Sequence, residues 1–174
     1  MHDPVLAGVA KGLSEEGIGV VRFNFPYREA GRRAPGSQKD SEDAYREIAS
    51  AHRRDGLPLY CGGKSYGGRI ASHIASDAFE MDGLVFLSYP LHPPGKPDRL
   101  RDAHLRDVRA PMLFVQGTRD PFAQPALLEA TVSGLPTARL IRIEGGDHSL
   151  RLRGRKAGDV HAEVIEAISE FLPK

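Results

Sequence analysis

Residues 57–70 constrain the fold more than any other stretch. Leu57-Pro58-Leu59-Tyr60-Cys61-Gly62 is a short apolar run, Gly63-Lys64-Ser65-Tyr66-Gly67 follows it, and a helical pattern begins at once. A strand that turns directly into a helix bends so sharply that its apex residue takes a strained backbone conformation. Positions two before and two after the apex then have little room for a β-carbon. Gly63 and Gly67 meet that requirement. In this strand–turn–helix context the G-x-S-x-G spacing holds the Ser65 hydroxyl clear of the sheet, as a nucleophile must be held. A phosphate loop would need glycine at position 58, and Pro58 stands there. The plainer alternative is a serine that only caps a helix. Chemical partners elsewhere in the chain decide between the two.

Short apolar segments bounded by Gly, Pro or charge recur at 19–25, 57–62, 83–89, 111–117 and 138–144, and each reads as a buried parallel strand. Helical patterns alternate with them. Asp3-Pro4 reads as an N-cap with proline in the first turn, opening a helix to about Glu16 that Gly17 ends. Ala44, Tyr45, Ile48 and Ala49 give a helical face within 41–54, and Ile70, Ala71, Ile74 and Ala75 give one after the Ser65 turn. A last helix over about 158–172 buries Val160, Val164, Ile165, Ile168 and Phe171. The alternation predicts an α/β fold, a mostly parallel sheet flanked by helices on both faces, with residues 1–174 as a single domain. Right-handed crossovers put the helices at 41–54 and 66–77, and those after Asp98 and Pro121, on one face. The first and last helices are left to cover the other.

A formal net charge of +1 gives no global field to recruit nucleic acid or a membrane surface. Met1-His2-Asp3-Pro4 does not read as a signal peptide, and no apolar stretch reaches spanning length. The single cysteine, Cys61, excludes an internal disulfide, and no C-x-x-C or H-E-x-x-H spacing calls for a metal or other cofactor. These features fit a cytoplasmic protein acting on a small molecule.

A serine hydroxyl is a poor nucleophile until a base takes its proton, and the base needs an acid to fix its tautomer. Both belong on loops that follow strands. After Met112-Leu113-Phe114-Val115-Gln116-Gly117 comes Thr118-Arg119-Asp120-Pro121, and after Ile143-Glu144-Gly145-Gly146 comes Asp147-His148-Ser149. Asp120 is the candidate acid and His148 the candidate base, in the order Ser, acid, His. Asp120-Pro121 also reads as a helix N-cap pair. Asp147 is the weaker acid, because adjacent side chains diverge, and it reads as a loop stabiliser. His73, His104 and His161 lie in helical patterns, His52 near a helix end and His2 at the terminus. His92 follows the strand at 83–89 on the same edge as Ser65, which makes it a candidate to line the pocket. Lys64, next to Ser65, is a second candidate for substrate binding.

Five stretches carry a resemblance. They are Phe23-Asn24-Phe25-Pro26-Tyr27, Gly62 to Arg69 around Ser65, Tyr89-Pro90-Leu91-His92-Pro93-Pro94-Gly95-Lys96-Pro97, Gln116 to Phe122, and Gly146-Asp147-His148-Ser149. In that order the chain resembles the α/β-hydrolase superfamily, in its small dienelactone-hydrolase-like branch of predicted hydrolases. The resemblance implies a serine hydrolase with Ser65 as nucleophile, His148 as base, Asp120 as acid and the Tyr66 backbone N–H as an oxyanion donor. Some relatives of that type use cysteine as nucleophile; here the position holds Ser65, so Cys61 does not inherit the role. Family members also carry a preceding section with a strand and a loop that gives a second oxyanion donor. This chain resembles them only from beyond that point, as an N-terminally shortened form. The absent strand would lie between 19–25 and 57–62, so the sheet is expected to have a gap there or to close across it.

Two basic stretches flank the expected site: Arg22, Arg28, Arg32, Arg33 and Lys39, and Arg151, Arg153, Arg155 and Lys156. Solvated loops are the plain reading, and a rim favouring an anionic ester or thioester is the sharper one. Pro90 to Pro97 is too short for a large lid, so an open site for small acyl groups is expected. The rival expectation is a non-catalytic binding module of the same fold.

Overall fold

The computed structural model describes residues 3–172, so His2 lies outside the described residues. Helix α1 spans Pro4–Glu15, and the Asp3 side chain caps it by accepting the Val5 and Leu6 N–H groups at 3.0 and 3.1 Å. A one-turn α2 (Pro26–Glu29) and α3 (Gln38–His52) precede strand β1 (Tyr60–Lys64). Then come α4 (Tyr66–Ser76), β2 (Gly83–Leu87), a 3-10 turn at Ala103–Asp107, β3 (Met112–Gly117), α5 (Pro125–Ser133), β4 (Ala138–Ile143) and α6 (Ala157–Phe171).

The four strands pair in sequence order, all parallel, with Tyr60 opposite Gly83, Leu84 opposite Met112 and Met112 opposite Ala138. Side chains alternate between faces as strand geometry requires. Leu84, Phe86, Met112 and Phe114 point into one cluster with Ile70 and Ile74 of α4, Tyr45 of α3 and Leu128 of α5. Leu87, Leu113, Val115 and Ile143 point into the other, with Val5 and Val9 of α1 and Val160 and Val164 of α6. The connections after β1, β2 and β3 thus cover one face, as right-handed crossovers along strands laid down in one direction must, and the first and last helices cover the other. Both faces are buried, which is why β2 and β3 are nearly continuous apolar runs.

The expectation of a strand at 19–25 is corrected. Among the described residues the sheet has four strands, and 19–25 is irregular, with Val20 38% and Val21 51% exposed. Strand formation needs a neighbour to hydrogen-bond, and apolar composition cannot supply one. Aromatic packing holds the segment instead. The Phe23 and Phe25 rings meet edge-on at 5.4 Å, Phe23 packs on Tyr45 at 5.2 Å and Phe25 on Tyr66 at 5.6 Å. On the outer edge of β1 a side chain stands where a strand would. The Tyr45 hydroxyl donates to the Gly62 carbonyl at 2.6 Å and accepts from the Gly62 N–H at 2.7 Å.

Among the described residues no helix is long and apolar enough to cross a membrane.

Candidate active site

Ser65 sits between β1 and α4 with φ +52° and ψ −118°, a conformation that costs a non-glycine residue about 1–3 kcal/mol and must be imposed by its surroundings. Hydrogen bonds impose it: the Ser65 N–H donates to Leu87 O of β2 at 2.9 Å, and its carbonyl accepts from Arg69 of α4 at 3.1 Å. A β-carbon on Gly63 would lie 2.9 Å from the Gly67 carbonyl carbon, so strand and helix do nearly touch. The other glycine the bend needs is Gly68 rather than Gly67. A β-carbon there would meet Gly63 O at 2.7 Å, whereas at Gly67 the nearest atom is a Phe25 ring carbon at 3.9 Å.

The loops after β3 and β4 bring the partners to Ser65. Gly117 ends β3 where the later loop crosses it, and a β-carbon would lie 2.3 Å from Gly146 O. Arg119 N donates to Gly146 O at 2.8 Å, and Gly145 N donates to the Thr118 hydroxyl at 2.8 Å, so the two loops hold each other directly. His148 Nδ1 lies 2.7 Å from Asp120 Oδ2, and His148 Nε2 lies 2.9 Å from Ser65 Oγ. An ionised carboxylate can only accept, so Nδ1 carries the proton and Nε2 offers its lone pair to the serine hydroxyl. Asp120 is 4% exposed, while the His148 side chain is 23% exposed and reachable from solvent. The Phe122 ring packs on the imidazole with centroids 4.3 Å apart. Asp120 does not cap a helix; its Oδ1 accepts the Phe122 N–H at 2.8 Å, in a turn ahead of α5. Asp147 stabilises its own loop, Oδ1 accepting from Ser149 and Arg151 N–H groups at 2.7 and 2.9 Å.

Tyr66 is the first residue of α4, so its N–H has no acceptor within the helix and lies beside the serine at the positive end of the helix dipole. Its phenol points away, donating to the Ser41 hydroxyl at 3.1 Å.

Two candidate pocket residues are corrected. His92 is 2% exposed and both ring nitrogens are engaged: Nε2 accepts the Gln124 N–H at 2.9 Å and Nδ1 bonds Pro93 O at 3.0 Å. It ties the loop after β2 to the loop after β3, with nothing left to offer a ligand. The Lys64 ammonium is taken up by Asp3, with Nζ 2.7 Å from Oδ2, fastening α1 to the Ser65 turn. Burial works to raise the Asp3 pKa, but Lys64 and the two capped N–H groups outweigh it and hold the carboxyl below its ordinary value. Cys61 is buried, and loss of solvation pushes its thiol up to about 11, far from a reactive thiolate. Among the described residues no group of three or more His, Cys, Asp or Glu is placed to hold a metal ion.

Comparison with known proteins shows the family and the fold. Residues 1–173 match the family described as alpha/beta hydrolase domain. The chain belongs to that family. The alpha/beta hydrolase domain superposes on XC6422 from Xanthomonas campestris, a serine hydrolase without a lid, with TM-score 0.76 and 27% identity; 100% of this chain and 76% of that one are covered. It has the fold of the dienelactone hydrolase from Anabaena variabilis, at TM-score 0.72 and 20% identity over 97% of this chain and 78% of that one. A stretch of 71 residues is 42% identical to polyketide synthase ThaQ of Burkholderia thailandensis, and it spans 40% of this chain but only 3% of that protein. The family match and the likeness to XC6422 support hydrolase chemistry in general.

Proposed function

We propose that this domain is a serine hydrolase that cleaves small carboxylic esters or thioesters. The observation that carries the reading is the unbroken chain of short contacts from Asp120 through His148 to a serine at φ +52°. Ser65 Oγ attacks the acyl carbon as its proton passes to His148 Nε2. Asp120 stays ionised and steadies the imidazolium, and the Tyr66 N–H receives the developing oxyanion. His148 then protonates the departing alkoxide or thiolate, and a water activated the same way releases the acid from Ser65.

Two finer features follow. The partly exposed imidazole and the short Pro90–Pro97 loop support an open site suited to small acyl groups. Arg28, Arg32 and Arg33 are exposed beyond Tyr27, whose ring packs edge-on against Tyr66 at 6.1 Å; with Arg151 and Arg153 they support a preference for anionic substrates. The buried, unreactive Cys61 is consistent with a reducing, cytoplasmic setting.

One observation favours the rival reading of a binding module: among the described residues the backbone donor identified beside Ser65 is the Tyr66 N–H alone, and a site with one oxyanion donor fewer is slower by about 10²–10³. A panel of p-nitrophenyl esters and acyl thioesters separates the two. Turnover that disappears in Ser65→Ala supports the enzyme. Equal background rates for the two proteins support the module. Within the panel, esters bearing a carboxylate should react faster than neutral ones at low salt and lose that advantage at high salt; equal rates would remove the anionic preference.

A further inference from the structure

Gln116 is the last long side chain of β3 before Asp120 and is 3% exposed. The neighbouring inward positions on that face of the strand are Met112 and Phe114, so an amide there interrupts an apolar row. It does one thing visible in the structure: Nε2 donates to Asp120 Oδ2 at 2.6 Å, the same oxygen that lies 2.7 Å from His148 Nδ1. The orientation is dictated, because turning the amide over would set its carbonyl oxygen against the carboxylate. Its own Oε1 is buried with no hydrogen-bond partner among the described residues. An apolar side chain would leave no such orphan, and the cost of burying the amide is offset at Asp120.

We propose that Gln116 is a positioning residue for the Ser65–His148–Asp120 chain. Asp120 is buried and reaches no lysine or arginine within ion-pair distance among the described residues. Three donors hold it instead: Phe122 N–H on Oδ1, and Gln116 and His148 on Oδ2. Gln116 fixes the plane of the carboxylate so that Oδ2 faces the imidazole, and its N–H offsets part of the desolvation of the buried charge. It touches no reacting atom and acts through Asp120. The inference rests on the proposed roles of Ser65, His148 and Asp120, but part of its test is independent of turnover.

The test uses Gln116→Met, which keeps an unbranched chain but donates nothing, and Gln116→Glu, which donates only while protonated. The first readout is the downfield proton resonance of the His148 Nδ1–H in the resting protein, read without substrate. It should shift or broaden away in Gln116→Met. In Gln116→Glu it should persist at low pH and vanish as the introduced carboxyl ionises against Asp120. The second is ester turnover, where Gln116→Met should lower kcat about tenfold to a hundredfold with KM little changed. Gln116→Glu should show a new descending limb as pH rises that the parent protein lacks. An unchanged resonance in Gln116→Met overturns the inference, whether or not the parent protein turns over esters. Equal losses in both variants at every pH, with the resonance unmoved, would mark Gln116 as mere filling. Absence of esterase activity in the parent protein, with the resonance responding as described, overturns the hydrolase reading and leaves the Gln116–Asp120 coupling standing.

Discussion

Ser65 has two unlike sides. Toward β2, β3 and β4 backbone hydrogen bonds fix the loops: Ser65 N–H on Leu87 O, Thr118 N–H on Ile143 O, Arg119 N–H on Gly146 O. Toward the outside of β1 no strand pairs with it among the described residues, and a tyrosine hydroxyl and a group of aromatic rings hold an irregular, basic, exposed segment. Under the proposed function, the difference separates the parts of the chain that would set the chemistry from those that would set the approach to it. The hydrogen-bonded chain from Asp120 to Ser65 depends only on the inner side, where parallel pairing and loop-to-loop bonds leave little freedom. The outer side contributes packing and charge.

The largest expected effect lies on the inner side. Asp120→Asn presents either a donor or a weaker acceptor to His148 Nδ1 and favours the wrong tautomer. Ester turnover should fall about 10³–10⁴-fold with the fold intact by circular dichroism. A loss below tenfold would mean that Asp120 does not hold the imidazole.

Next comes Gly117→Ala, where the new methyl has backbone at 2.3 Å that cannot step aside. Thermal or denaturant unfolding should show a loss of about 2–3 kcal/mol, and turnover should drop with it as the two loops separate. Unchanged turnover would show that the loops can part without consequence.

On the outer side Tyr45→Phe removes the hydroxyl from both Gly62 backbone groups. Stability should fall by about 1–2 kcal/mol while kcat stays close to the parent value. A large fall in kcat would break the distinction between the two sides.

The smallest effect concerns acid. His73 of α4 and His104 of the 3-10 turn, both half-buried, stack at 3.8 Å, and His104 Nε2 bonds the Ser72 hydroxyl at 2.8 Å. Burial first, then His73 and Arg69, push His104 down to about 4, with Asp102 opposing; burial and Arg69 lower His73, with Glu42 opposing. The unfolded chain therefore binds a proton at His104 that the folded one refuses between the ordinary imidazole value and about 4, so stability falls as pH drops through that window. Partial exposure screens the effect to the order of 1 kcal/mol. His104→Gln, which can still donate to Ser72 but cannot take a proton, should flatten stability against pH there; an unchanged slope would place the acid sensitivity elsewhere.

The sheet was legible where strands pair with one another. β2, β3 and β4 follow from apolar runs bounded by turns, and they fall within two residues of the sequence expectation. The segment 19–25 is also a short, largely apolar run and fails, because pairing is a property of two strands. Ser65, Asp120 and His148 could be singled out as candidates because each follows a strand in an order such chemistry requires, and the structure brings them within hydrogen-bond distance of one another. His92 and Lys64 satisfied the same position rule, and their hydrogen bonds to Gln124 and Asp3 turn them to structural use. Gly117 and Gly68 left only the bare signal of a glycine next to a site. Gln116 left an amide in an apolar strand two residues before the loop that carries Asp120, a signal that could have been read.

The most direct test of the central claim is a fluorophosphonate probe followed by mapping of the adduct by mass spectrometry. A hydroxyl activated as described here should take one phosphonyl group, located on Ser65, with labelling abolished in His148→Ala. Labelling that persists in His148→Ala, or that falls on another residue, would contradict it.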